Sequence, residues 1–177
     1  ESGKLYFSYE TGVWSGSPDP GLVVSSIELS NFEIADIFSK NIVRYVSNGV
    51  DWPSHAISNI SDGKIFVGYN SPTHVNTDNC IESIDLTTGA SELILNSDYN
   101  INTISYSSNK LIYTYNDDHQ YYRGSLQLSI YDIVNDQQVF GSELSSKRIW
   151  DPVSSTLQDG RVVVVYSKHL GKTVFGK

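Results

Sequence analysis

The sequence predicts an all-β chain, a β-propeller segment of four-stranded antiparallel blades in which two blades are complete and two are partial. Three observations predict it. A cation–strand–tyrosine pattern recurs four times at blade-length spacing, each copy follows a turn dipeptide, and no segment shows the 3.6-residue periodicity of a helix.

The four copies align without gaps: Lys4–Tyr9, Lys64–Tyr69, Lys110–Tyr115 and Arg161–Tyr166. Their starts are 60, 46 and 51 residues apart. Each follows Ser2-Gly3, Asp62-Gly63, Ser108-Asn109 or Asp159-Gly160. Asp-Gly between two β-type runs is a strong hairpin signal, because both residues adopt positive φ at low cost. These runs are the second strands of their blades. First strands are expected over Ile57–Ile60, Ile101–Tyr106 and Val153–Leu157.

Third strands end in an acid: Ile27-Glu28-Leu29, Ile84-Asp85-Leu86 and Tyr131-Asp132-Ile133. Those acids stand 24, 21 and 22 residues after their anchors and read as structural, closing the strand before a short turn. Fourth strands follow near Phe32–Ile37, Glu92–Leu95 and Gln137–Phe140. The second strand is nearly continuous in apolar residues (Val162–Val165), so both its faces are expected to be covered. The third alternates and the fourth is more polar. An apolar inner edge grading to a polar outer edge is what radial stacking of small sheets requires.

The predicted blades occupy approximately 1–40 (partial), 52–96, 99–141 and 150–177 (partial). The chain opens on a second strand and closes on a third near Thr173–Phe175. It carries no Met and no remaining signal peptide, so it is expected to belong to a longer product, its missing blades coming from the same or another chain.

Composition narrows function by exclusion. Aromatic residues make up 12% and charged residues 18% of the 177 residues, a β-rich and ordered composition. No apolar run is long enough to cross a bilayer. The formal net charge of -8 disfavours nucleic acid as a partner. Cys80 stands alone, which excludes an internal disulfide and a thiolate metal cage. Asn59-Ile60-Ser61 matches a glycosylation sequon but sits in an expected strand, and reads as a chance match. The acidic, Tyr/Asn/Ser-rich make-up and the architecture point to a secreted or cell-surface location.

A meander puts alternate connections at opposite ends of its sheet. The long ones (10–22, 70–80 and 116–124, then 38–52, 96–100 and 141–151) should all leave one end, where a rigid repeat scaffold carries function. Trp14, Trp52 and Trp150 lie in or beside them, either capping blades or offering flat surfaces on which sugar rings stack. His74, His119 and His169 fall 10, 9 and 8 residues after their anchors, so neighbouring blades present histidine at near-equivalent places. Solvated polar surface is the plain account of these histidines. A divalent metal held by His74, Asp117, Asp118 and His119 is a second account. A third sets His55 or His74 as general base, Tyr121 or Tyr122 as acid and Arg123 against a substrate carboxylate. That set suits β-elimination on a uronate polymer. No nucleophile elbow, phosphate loop or Cys–His pair is present.

Asp62-Gly63-Lys64 with its strand to Tyr69, and Asp159-Gly160-Arg161 with its strand to Tyr166 and His169, resemble the repeats of BNR-like propellers. Some polysaccharide lyases acting on ulvan look similar at this level. The resemblance covers the second strands and their flanks, and implies a seven-bladed extracellular propeller with His and Tyr as base and acid and an Arg neutralising the uronate. Two family signatures are missing: Asp-Asp-His-Asn before the first strand, where Asp117-Asp118-His119 stands in a different loop, and the sialidase Asp-box. The expected function is therefore an extracellular module binding a glycan or protein ligand through its long-loop face. A propeller polysaccharide lyase and a structural interaction scaffold are the alternatives.

Overall fold

The structure, a computed structural model, describes residues 3–11, 21–42, 46–47, 50–51, 55–70, 79–99, 101–117, 125–146, 149–157 and 161–168. Every element among them is a strand. The first sheet is a meander of β1 (Lys4–Thr11), β2 (Gly21–Glu28) and β3 (Ile34–Asn41). A short antiparallel pair, β4 (Val46–Ser47) and β5 (Val50–Asp51), follows. The second sheet orders β6 (His55–Ile57), β7 (Lys64–Asn70), β8 (Asn79–Asp85) and β9 (Ser91–Ser97). The third orders β10 (Ile101–Ser107), β11 (Lys110–Asn116), β12 (Leu126–Asp132) and β13 (Gln137–Ser145). The fourth pairs β14 (Ile149–Thr156) with β15 (Val162–Lys168). The fold is an all-β propeller of antiparallel sheets.

The turns follow from local chemistry. Between first and second strands, Asp62 and Gly63 take φ of 53° and 71°, and Ser108 and Asn109 take 52° and 63°. These are the paired left-handed residues of the tight hairpin that the dipeptides predict. Between third and fourth strands, the acid closes the turn. Asp85 Oδ1 accepts from the N–H groups of Thr87 and Thr88 at 2.9 and 2.8 Å. Asp132 Oδ1 accepts from Val134 and Asn135, both at 3.1 Å. Such Asx turns satisfy backbone donors that the ladder leaves over. Both carboxyls are held below the usual range, Asp85 by Thr88 and Thr87, and Asp132 to about 2 by Lys110 and Asn135. The acids are structural, as the sequence indicated.

One strand is shorter than its pattern. The run Ile57–Ile60 predicts a strand, yet β6 ends at Ile57. Ser58 interrupts the ladder: its hydroxyl accepts from the Phe66 N–H at 2.9 Å and donates to the Asn59 carbonyl at 2.7 Å. The Asn59 amide instead reaches the third sheet, donating to the Tyr106 carbonyl and accepting from the Tyr106 N–H, both at 2.9 Å. Its nitrogen is thus engaged in a contact between sheets, which agrees with reading the sequon as chance.

Sheets stack face to face through the second strands. Ile65, Val67 and Tyr69 of β7 join Leu22, Val24 and Phe38 of the first sheet in one core. Phe66, on the opposite face of β7, joins Ile101, Ile104, Tyr106, Leu111 and Tyr113 of the third sheet in another. Successive residues of a strand point to opposite faces, so a strand covered on both must be apolar throughout. Each large side chain buried this way contributes roughly 1.5–3 kcal/mol. Gly68 lets the sheets approach closely: a Cβ there would lie 2.9 Å from Ile104 Cδ1 and 3.2 Å from Ile101 Cγ2.

Candidate functional site

Register fixes which ends of the sheets coincide. In the first sheet, Gly21 pairs with both Thr11 and Asn41. In the second, Asn79 pairs with Asn70 and Ser97. In the third, Leu126 pairs with Asn116 and Ser145. The last residue of each second strand, the first of each third and the last of each fourth therefore share one row. His55 pairs with Tyr69 and Ile101 with Tyr115, so the first strands start at this end too. The connections after β1, β7 and β11 (12–20, 71–78 and 117–125) leave from here, as do the links between sheets. Two of those links, 98–100 and 146–148, are three residues where long connections were expected over 96–100 and 141–151. The turns at 62–63, 86–90, 108–109 and 133–136 lie at the other end. This is the arrangement that alternation in a meander predicts.

Two polar groups occupy the seam between the first and second sheets just below this end. His55, half-buried at the start of β6, is clamped by β1: Nδ1 lies 2.9 Å from Glu10 Oε1 and Nε2 3.1 Å from Ser8 Oγ. Ser8 and Glu10 stand two residues apart, on the face of β1 turned toward the second sheet, and this spacing presents both oxygens to one ring. Beside them, Lys40 of β3 donates to the buried Glu82 of β8, with its ammonium 5.3 Å from the centre of the Tyr69 ring. A cation over an aromatic face gains further electrostatic stabilisation. Burial first, then Cys80 and Glu82, push the Tyr69 hydroxyl well above the ordinary phenol range, so it stays protonated. Among the described residues, Tyr69 Oη and Glu82 Oε2 are both buried and meet no hydrogen-bond partner at ideal geometry.

Asp117, one of the candidate metal ligands, closes its own loop. Its carboxylate accepts from the Ser125 N–H at 2.7 Å, the Ser125 hydroxyl at 2.6 Å and the Gln127 amide at 3.1 Å. Those bonds, led by the Ser125 hydroxyl, hold it below the usual carboxylate range. No cluster of three metal-ligating side chains occurs among the described residues. Trp150 lies within β14, opposite Ser167. Trp14, Trp52, His74, Asp118, His119, Tyr121, Tyr122, Arg123 and His169 lie outside the described residues. Of the sequence-derived set, His55, Asp117 and Trp150 fall among the described residues, His55 at the start of β6, Asp117 just after β11 and Trp150 in β14. Ser8, Glu10, Lys40 and Glu82 escaped the sequence reading. Glu82 alone left a trace, as a charge at the centre of an otherwise strand-like run.

No protein-family profile matches the chain, and neither does any curated protein. Solved structures do. TolB from Acinetobacter baumannii superposes with a TM-score of 0.59 at 14% identity, over 96% of this chain and 37% of that one. The β-propeller domain of the trilobed protease from Pyrococcus furiosus, described as having an open velcro topology, gives 0.52 at 15%, over 93% and 45%. Sqt1 from Saccharomyces cerevisiae gives 0.51 at 10%, over 86% and 38%. The chain spans less than half the length of each. At these identities the likeness concerns fold alone, and that fold is the β-propeller. No helix among the described residues is long and apolar enough to cross a membrane.

Proposed function

We propose that this β-propeller module is extracellular and binds a glycan or protein ligand at the end from which its long connections leave. The observation that carries this reading is the shared row of strand ends at Thr11, Asn70 and Asn116, which gathers every long connection on one rim. Those connections hold Trp14, Trp52, His74, His119, Tyr121, Tyr122 and Arg123. Aromatic rings with polar tips stack on sugar faces and anchor protein interfaces, and they cost little conformational entropy when they do so. The His55 clamp and the Lys40–Glu82 pair stiffen the scaffold directly beneath that rim, and a preorganised rim binds with less ordering cost. A glycan array and a cell-surface protein library, screened with the chain and with its Tyr121→Ala/Tyr122→Ala variant, test the reading. Retention of ligands by wild type and at least tenfold weaker binding by the variant is the expected outcome. Equal binding by both, or none by wild type, removes it.

A second reading has one observation in its favour. Glu10 holds His55 Nδ1, as an acid holds an imidazole in the tautomer and orientation that a general base needs. In a lyase acting on a uronate polymer, such a base removes the C5 proton while Arg123 neutralises the carboxylate. The C4–C5 double bond forms as the C4–O bond to the leaving sugar breaks, and Tyr121 or Tyr122 protonates the departing oxygen. The unsaturated product absorbs in the ultraviolet. Incubation with uronate polymers that gives no absorbance rise, or a rise unchanged in His55→Ala, disposes of this alternative.

A further inference from the structure

We propose that Ser8, His55 and Glu10 form a nucleophile–base–acid triad, and that the seam between the first and second sheets is an esterase site for small acyl esters. The three groups are joined end to end. Nε2 of His55 lies 3.1 Å from Ser8 Oγ, and Nδ1 lies 2.9 Å from Glu10 Oε1. Both distances are those at which a base activates a hydroxyl and a third group orients the base. Proton placement then assigns the roles. An ionised carboxylate only accepts, so in the neutral ring Glu10 draws the proton to Nδ1 and leaves the Nε2 lone pair to accept from the Ser8 hydroxyl. That is the tautomer in which an imidazole takes a proton from serine. The acid is also the more enclosed partner, with side-chain exposures of 7% for Glu10 and 17% for His55.

The fold does not call for these groups. By repeat register Ser8 stands where Gly68 stands in β7. His55, opposite Tyr69, stands where Ile101 stands, opposite Tyr115. At that next seam the two positions meet without any polar side chain: a Cβ on Gly68 would lie 3.2 Å from Ile101 Cγ2. One seam is therefore closed by Gly and Ile, and the other, at the same height, by Ser and His with an enclosed acid behind them. Burying such groups costs desolvation that an apolar contact avoids. Stacking alone gives no reason for the exchange, and a reaction does.

The step balances with water as the second reactant. Ser8 Oγ attacks the ester carbonyl carbon as its proton passes to His55 Nε2, and Glu10 holds the imidazolium. The bond from that carbon to the leaving oxygen then breaks, and the alcohol departs with the proton, leaving acyl-Ser8. Water gives a proton to the same Nε2 and attacks the acyl carbon. Breakdown returns the proton to Ser8 Oγ and releases the carboxylic acid. Ser8 and His55 are both half-buried, so a short acyl group reaches them where a polymer backbone does not. The Ser8 hydroxyl on Nε2 also separates this chemistry from proton removal at carbon, and the site stands whatever the rim above it binds.

A fluorophosphonate and p-nitrophenyl acetate, used on the 177-residue chain, test the proposal. The chain should gain one phosphonyl group, mapped to Ser8, as the Oγ–P bond forms and fluoride leaves. It should also hydrolyse the acetate ester. Ser8→Ala should abolish the label. His55→Ala should slow labelling and hydrolysis by about a hundredfold or more. Added imidazole should restore part of the labelling of His55→Ala, which a merely structural histidine would not allow. Glu10→Gln, a change to a positioning residue, should lower kcat by about tenfold or more with KM unchanged. Mapping the label on wild type tests the site even where a variant fails to fold. No label on wild type, a label only on another residue, or equal rates in wild type and folded His55→Ala overturns the proposal.

Discussion

The seam between the first and second sheets and the seam between the second and third are built from one repeat and held by different forces. The first places a buried acid, Glu82, against Lys40 and clamps His55 between Glu10 and Ser8. Among the described residues the second shows no such charges: beside the two Asn59–Tyr106 hydrogen bonds, Phe66 packs against Tyr106 with ring centres 4.5 Å apart, and Ile101 and Ile104 close over Gly68. A backbone pattern recurring every half-hundred residues therefore fixes how sheets stack, and leaves open what cements them. Polar cement lies at the seam whose upper end carries His55, beneath the rim where binding is proposed. Apolar cement lies where tight approach matters more.

Phe66→Ala is the sharpest way to break the comparison. It empties a site enclosed by the third sheet and should cost about 3–5 kcal/mol, read as a lowered denaturation midpoint. Its effect should be independent of salt. If it costs less than about 1 kcal/mol, the second seam is not the apolar anchor described. Lys40→Ala comes next. It strands the Glu82 carboxylate in a buried place, which for a fully enclosed pair costs about 3–5 kcal/mol. Lys40 is partly solvated, so about half of that is expected here. Lys40→Met/Glu82→Leu should recover most of the loss, because an apolar pair of similar volume needs no desolvation. A double variant no more stable than Lys40→Ala would show that the pair itself, rather than the stranded charge, carries the energy.

Much of this was legible in the sequence because it depends on residue type at fixed spacing. The turns at Asp62-Gly63 and Ser108-Asn109, the apolar second strands and the acids at 85 and 132 each leave a local mark, and each appears where its mark predicts. The seams left none. Whether Glu10 meets His55, 45 residues away, depends on the relative placement of two sheets, which no local pattern encodes. Ser8 and Glu10 read only as the polar half of an alternating strand. The opposite error occurred at Ser58–Ile60: the run had the composition of a strand, but Ser58 and Asn59 spend their hydrogen bonds on Phe66 and on the third sheet. Asp117 carried no local mark of the bonds its oxygens accept from Ser125 and Gln127, which only the folded loop brings within reach.

Acid should separate the blades next. Asp132 has a folded pKa lowered to about 2, against an ordinary value near 3.9, because Lys110 at 2.9 Å and Asn135 stabilise its charged form. A lowered pKa means that the stabilisation is complete above about pH 4 and is lost as pH falls through 2. Asp132→Asn should therefore lower stability most between pH 6 and 8, where the charged carboxylate contributes in full, and converge with wild type as pH falls toward 2, which flattens the acid limb of the profile. An unchanged acid limb would mean that the turn acid does not couple to folding.

The smallest expected effect tests whether the repeats are interchangeable away from their seams. Four residues after each turn acid the chain enters the left-handed region: Phe32 at φ 60°, Gly89 at 72° and Asp136 at 52°. Glycine adopts that conformation freely and Asp tolerates it, but an aromatic residue pays a steric cost there. At Gly89 the choice is forced, since a Cβ would lie 2.5 Å from the Ile37 carbonyl oxygen. Phe32 is 71% exposed, so little packing offsets its strain. Phe32→Gly should raise stability by roughly 0.5–1 kcal/mol, the relief of strain exceeding the added freedom of the unfolded chain. A loss instead would mean that the Phe32 ring is held by a contact worth more than its backbone costs. The first sheet would then differ from the others at its turn as well as at its seam.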